Sequence, residues 1–160
     1  MAPRHSTDAL ARVPGAAPFR APHGSRLPVA SRLRLHLRAT PADVPFARAA
    51  ITRLCEHLGI DDQPTEDIRL AVTEACANCA CHAYDDSAEF PTYTLDARVD
   101  ERDLRIVVSD RGMGLESSRA SKATSLGYGL GLIQHLARSS HVSARPGGGT
   151  RVVMRFPLPS

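Results

Sequence analysis

The chain has 160 residues, with 20 Lys+Arg against 17 Asp+Glu and a formal charge of +3. This length suits one domain with a substantial core, and 42% hydrophobic with 23% charged residues is ordinary globular composition. There is no run of about 18 apolar residues for a membrane span and no signal-peptide stretch, so the four cysteines point to free thiols in a reducing, cytoplasmic setting.

Residues 1–30 combine five prolines with small residues and no hydrophobic periodicity, which predicts a disordered tail. The charge excess belongs to that tail, where Arg4, Arg12, Arg20 and Arg26 face Asp8 alone. Residues 31–160 carry 16 basic and 16 acidic side chains, a balance that argues against direct nucleic-acid binding. From Ser31 the pattern changes. Leu33, Leu35 and Leu37 alternate with Arg34, His36 and Arg38, as in a strand. Thr40-Pro41 then signals a helix start, and an apolar stripe from Val44 to Leu58 ends at Gly59. A second helix is expected from near Pro64 toward Ala83, then strands through Tyr93–Val99 and Leu104–Val108. Residues 115–127 are small and polar; a helix from about Tyr128 to Arg138 and a terminal hairpin around Pro146-Gly147-Gly148-Gly149 complete the chain. The predicted class is α+β: a two-layer sandwich of a mixed, mainly antiparallel sheet with helices on one face.

Four short constellations could carry chemistry. Glu74 and Asn78 are four apart on the second helix and so share a face. The Asn78 amide oxygen suits a hard cation such as Mg²⁺, and Glu74 could accept a proton. Ser109-Asp110-Arg111-Gly112-Met113-Gly114 follows an apolar strand. Its carboxylate could accept a hydrogen bond from an amino group such as that of adenine, though a plain strand-end turn explains Asp and Gly as well. Gly127, Gly129 and Gly131 open a helix, where free N–H groups and the helix dipole favour phosphate. A Rossmann reading fails because no strand enters these glycines. Finally, Thr150 follows a glycine turn and opens the last strand.

In their order and spacing these four motifs, with His82-Ala83-Tyr84, resemble the GHKL (Bergerat) ATP-binding fold over residues 31–157. Within it the chain looks like the bacterial anti-sigma factor serine/threonine kinases. The resemblance implies ATP and Mg²⁺ as ligands, with Asn78 holding the metal and Glu74 as general base. It implies that Asp110 binds the adenine amino group, that Gly112 and Gly114 shape its pocket, and that Thr150 supports it. Gly127, Gly129 and Gly131 would lie at the lid and the phosphate-facing helix start, with residues 115–126 as a mobile lid whose one lysine is Lys122. The implied partners are a sigma factor and a STAS-domain anti-anti-sigma protein, with no membrane contact and with room for a homodimer.

Other classes fit less well. Lys122 precedes Ala123, so there is no P-loop. Cys76, Cys79, Cys81 and His82 point in different directions around one helix at ~100° per residue, so zinc is not expected and the three cysteines read as small buried residues; Cys55 reads as core. A non-catalytic ATP-binding switch stands as the alternative to a kinase. A third reading, the ATP-binding domain of a sensor histidine kinase, lacks the phosphoacceptor helices before the domain.

Overall fold

A computed structural model of the protein describes residues 32–114 and 126–159. The expected tail at 1–30 and the expected lid, apart from Leu126, lie outside the described residues. Strand β1 (Arg32–Arg38) leads through a short 3-10 turn (Pro41–Asp43) into α1 (Val44–His57) and α2 (Asp62–His82). Strands β2 (Thr92–Asp100) and β3 (Asp103–Asp110) follow, then α3 (Leu126–Leu136), β4 (Ser139–Ala144) and β5 (Thr150–Pro157). The order is the one the hydrophobic spacing predicts. Thr40 starts the helical region as expected, but its hydroxyl donates to the Asp43 carboxylate at 2.6 Å and makes no backbone cap. Among the described residues no helix is long and apolar enough to cross a membrane.

The sheet runs β1-β2-β3-β5-β4, and all four pairings are antiparallel. A mainly antiparallel sheet was expected; the described strands contain no parallel pair. Period-two alternation sends Leu95, Ala97, Leu104, Ile106, Val108, Met154 and Phe156 to one face, where they are buried. The helices cover that face with residues at three- and four-residue spacing: Ala47, Ile51 and Cys55 from α1, and Ile68, Val72, Ala75, Cys76 and Cys79 from α2. Helix α2 packs between α1 and α3, which puts its C-terminal half over the centre of the sheet. The opposite sheet face carries polar and charged side chains and, among the described residues, has no helix on it.

A candidate nucleotide pocket between helix α2 and the sheet

The last turns of α2, the end of β3 and the start of β5 meet in one small pocket. Asn78, Cys79 and Ala83 line it from the helix side, Asp110 and Thr150 from the strands, and Leu130 from α3. Asp110 is only 4% exposed, one of two buried polar residues among those described. A carboxylate can be buried only when its oxygens are satisfied, and here they are. Its Oδ1 accepts the Gly112 N–H at 2.9 Å and the Thr150 N–H at 3.1 Å. Its Oδ2 accepts the Cys79 thiol at 3.7 Å, a weak donor. That leaves Oδ2 the better placed of the two oxygens to take a further donor.

The loop after Asp110 is pinned from two sides. The Met113 N–H donates to the Ala83 carbonyl at 2.7 Å. The Tyr84 hydroxyl accepts the Arg111 N–H at 3.0 Å and donates to the Thr92 carbonyl. These contacts need glycine. A methyl group on Gly112 would lie 1.8 Å from the Ala83 carbonyl oxygen, and one on Gly149 2.3 Å from the Asp110 carbonyl oxygen. Gly149 also has φ +92, open to glycine but strained for any other residue. The Arg145 guanidinium donates to the Asp110 carbonyl at 2.9 Å and ties the final hairpin to the same corner.

Glu74 and Asn78 stand on the α2 face that α3 approaches, both half-buried. The approach is close at Gly129, where a methyl group would sit 2.9 Å from Glu74 Oε2 and 3.7 Å from Asn78 Nδ2. The structure thus brings Glu74, Asn78 and Gly129 together, and Asn78, Asp110 and Thr150 line one pocket. Gly114 has φ +83 and lies beside Gly149. Gly127 is in the first turn of α3, while Gly131 is exposed with open space around its Cα.

One expectation fails. Cys76 and Cys79 are buried, but Cys81 is exposed, because its position on α2 turns it away from the sheet. Burial pushes the Cys76 thiol up to about 12. Burial, then the neighbouring Asp110 carboxylate, holds Cys79 well above the ordinary thiol range. Both are therefore neutral near pH 7, which lets Cys79 act as a donor to Asp110. The supporting roles of Cys79, Ala83, Tyr84, Arg145 and Gly149 were not read from the sequence. A signal existed in His82-Ala83-Tyr84 directly after the helix and in the triple glycine, but the contacts it serves are long-range.

Residues 37–156 match the family described as histidine kinase-like ATPase domain. An anti-sigma F factor of Pasteuria penetrans is 27% identical over 133 residues, covering 78% of this chain and 89% of that protein. One from Clostridium acetobutylicum is 25% identical over 135 residues, covering 78% and 92%. Among solved structures, the RsbU and RsbW domains of a Mycobacterium tuberculosis protein superpose with TM-score 0.64 at 22% identity. That match covers 79% of this chain and spans 32% of the other. The SiaB–SiaC complex of Pseudomonas aeruginosa gives TM-score 0.53 at 11% identity over 79% of this chain and 89% of that one. These two likenesses concern the fold.

Proposed function

The chain belongs to the histidine kinase-like ATPase family, and from that premise we propose that it binds ATP and acts as an anti-sigma factor with serine/threonine kinase activity. The observation that carries the reading is the shared pocket of Asp110 and Asn78, with Glu74 one helical turn before Asn78. Asp110 Oδ2 takes the adenine amino group, while Gly112 and Thr150 fix the other oxygen through their N–H groups. Thr150 and Gly114 frame this end, and Gly127, Gly129 and Gly131 form the phosphate-facing start of α3. The Asn78 amide oxygen has no hydrogen-bond partner among the described residues and is the hard donor a Mg²⁺ ion prefers. A bound Mg²⁺ supplies neutralisation of the charge that develops on transferring phosphate. Glu74 accepts the proton from a serine or threonine hydroxyl as its oxygen attacks the terminal phosphorus and ADP leaves.

The named partners are a sigma factor and a STAS-domain anti-anti-sigma protein, and the setting is the cytoplasm. Support comes from relatives called anti-sigma F factor that align over most of this chain. A second reading, an ATP-binding switch without turnover, is favoured by one detail: Glu74 does not line the pocket, and its Oε2 lies against the α3 backbone at Gly129.

Single-turnover phosphorylation of STAS proteins from the same genome, beside an ATP titration, separates the two. For the kinase, Glu74→Gln lowers the phosphotransfer rate about 10²- to 10⁴-fold and leaves ATP affinity nearly unchanged. Full transfer by the variant removes Glu74 from the mechanism. ATP binding with no transfer by the unaltered protein to any candidate favours the switch.

A further inference from the structure

The open face of the sheet carries a feature that ATP chemistry does not use. In the strand register Arg32 faces Arg98, Arg98 faces Arg105, and Arg105 faces Arg155. Four arginines thus stand in one row across β1, β2, β3 and β5, spanning roughly 14 Å at the spacing of neighbouring strands. Like charges placed directly opposite destabilise a sheet. The outer two are compensated, Arg32 by Asp96 and Arg155 by Asp100 at 3.1 Å. Among the described residues no carboxylate pairs with Arg98 or Arg105. Burial, then the nearby Arg98, Arg151 and Arg155 charges, pushes the Arg105 pKa down, and Asp100 offsets only part of this. Arg34 and Arg151 extend this field into a shallow groove of about 690 Å³. The adjacent cross-strand row runs Arg34, Asp96, Val107 and Val153, with Val107 buried beneath its neighbours.

We infer that this arginine row is a docking surface for an acidic helix of a partner protein, its carboxylates seated on Arg98 and Arg105. Helix neighbours at i and i+4 lie about 5–6 Å apart, close to the roughly 4.8 Å step between strands. An extended acidic chain repeats same-side residues every ~6.7 Å and falls out of step. Each guanidinium can grip a carboxylate with two parallel hydrogen bonds. Other occupants fit worse. A second copy laid face to face sets arginine against arginine. The chain's own residues 1–30 are basic. A nucleic-acid backbone carries its charge continuously and would run over Asp96, Asp100 and Asp103 as well as the arginines, whereas a helix can place single carboxylates on Arg98 and Arg105 alone. The surface is distinct from the ATP pocket, so the inference stands or falls separately from that reading.

The test is fluorescence anisotropy of the full chain with a labelled 17-residue helical peptide carrying glutamate at every fourth position. A peptide of identical composition with its glutamates in one block, and a 16-base-pair DNA duplex, serve as competing probes. The spaced peptide binds best, and Arg98→Ser/Arg105→Ser weakens it at least tenfold. Replacing Arg4, Arg12, Arg20 and Arg26 by serine leaves its binding unchanged. The double variant melts no lower than the parent, since it removes repulsion. Equal peptide affinity in the double variant overturns the inference. So does tighter binding of the duplex through the same arginines, or a change in sedimentation from dimer to monomer in the variant, which would assign the face to a second copy.

Discussion

The Asp110 end of the candidate site and its Glu74 end, just outside the pocket, are built differently. At the Asp110 end, a 4% exposed carboxylate is held by two backbone N–H groups and a thiol. Around it, backbone segments pass so closely that glycine is the residue that fits at 112 and 149. At the Glu74 end two half-buried side chains face α3 and, among the described residues, have no hydrogen-bond or ion-pair partner. The first end is therefore shaped by the fold itself, and the second keeps uncommitted polar groups. Pre-organisation of the first end reduces the ordering cost of recognition. The uncommitted groups at the other end keep their oxygens available for a cation and a proton.

Gly112→Ala attacks that distinction most strongly. The new methyl would sit 1.8 Å from the Ala83 carbonyl oxygen and 2.5 Å from its carbon. Both are backbone atoms, so the loop or the end of α2 must move, and the Met113-to-Ala83 hydrogen bond goes with it. Overpacking of this kind costs about 3 kcal/mol, which lowers Tm by roughly 10 °C in a domain of this size. Gly131→Ala, on the exposed side of α3, is the control. Nothing lies within 4 Å of the added methyl, and replacing glycine in a helix interior stabilises by about 0.5–1 kcal/mol. Thermal melts of the two variants should therefore shift in opposite directions. A similar fall in both would mean that the close backbone approach at Gly112 does not set it apart.

Asp110→Asn tests the same end with a smaller effect. Oδ1 accepts two N–H donors, so the asparagine oxygen must stay there and the new NH₂ must take the Oδ2 position. In the proposed binding mode a donor then faces the adenine amino group. Leaving that contact unmade costs roughly 1–3 kcal/mol, or about 5- to 150-fold in ATP affinity. Calorimetry should find that loss; undiminished affinity would take Asp110 out of base recognition.

The element order was legible because each element is long enough to show its period. Leu33, Leu35 and Leu37 alternate, and Val44, Ile51, Leu54 and Leu58 recur at helical spacing, although Phe46 of the same stripe is exposed and Ala47 and Cys55 join Ile51 in the core. Boundaries slipped where local signals are weak: α3 begins at Leu126 instead of near Tyr128, and β4 at Ser139 instead of Val142, because polar serines pair at the sheet edge without burying anything. Asp110, Asn78 and Glu74 were readable as candidates from residue type and spacing. The clamp around Asp110 was not. Cys79 and Arg145 are 31 and 35 positions from Asp110, and Tyr84 is 27 from its partner Arg111; only the packing of α2 and the last hairpin onto β3 brings them there. The arginine row was hidden for the same reason, since its four members come from four strands and register alone aligns them.

The mildest expected effect concerns the thiols beneath the Asp110 end. Cys76 is lifted from its ordinary 9.0 to about 12 by burial, and Cys79 is raised as well by burial and by Asp110. Below pH 9 folded and unfolded chains both keep these protons, so the thiols make stability no steeper function of pH there. Above pH 9 the unfolded chain releases a proton that the folded chain retains, and stability falls as pH rises toward the folded pKa. From Cys76 this amounts to about 1–2 kcal/mol at pH 10. Cys55, raised to about 11, acts in the same direction. Urea unfolding at intervals from pH 7.5 to 10 should give a flat region and then a decline. Cys76→Ala should start lower, because it leaves a cavity, yet decline less steeply above pH 9. Parallel curves for parent and variant would mean that the Cys76 thiol is not held neutral by the core. The Asp110 end should follow the same alkaline limit, since a thiolate at Cys79 would repel the carboxylate it now supports.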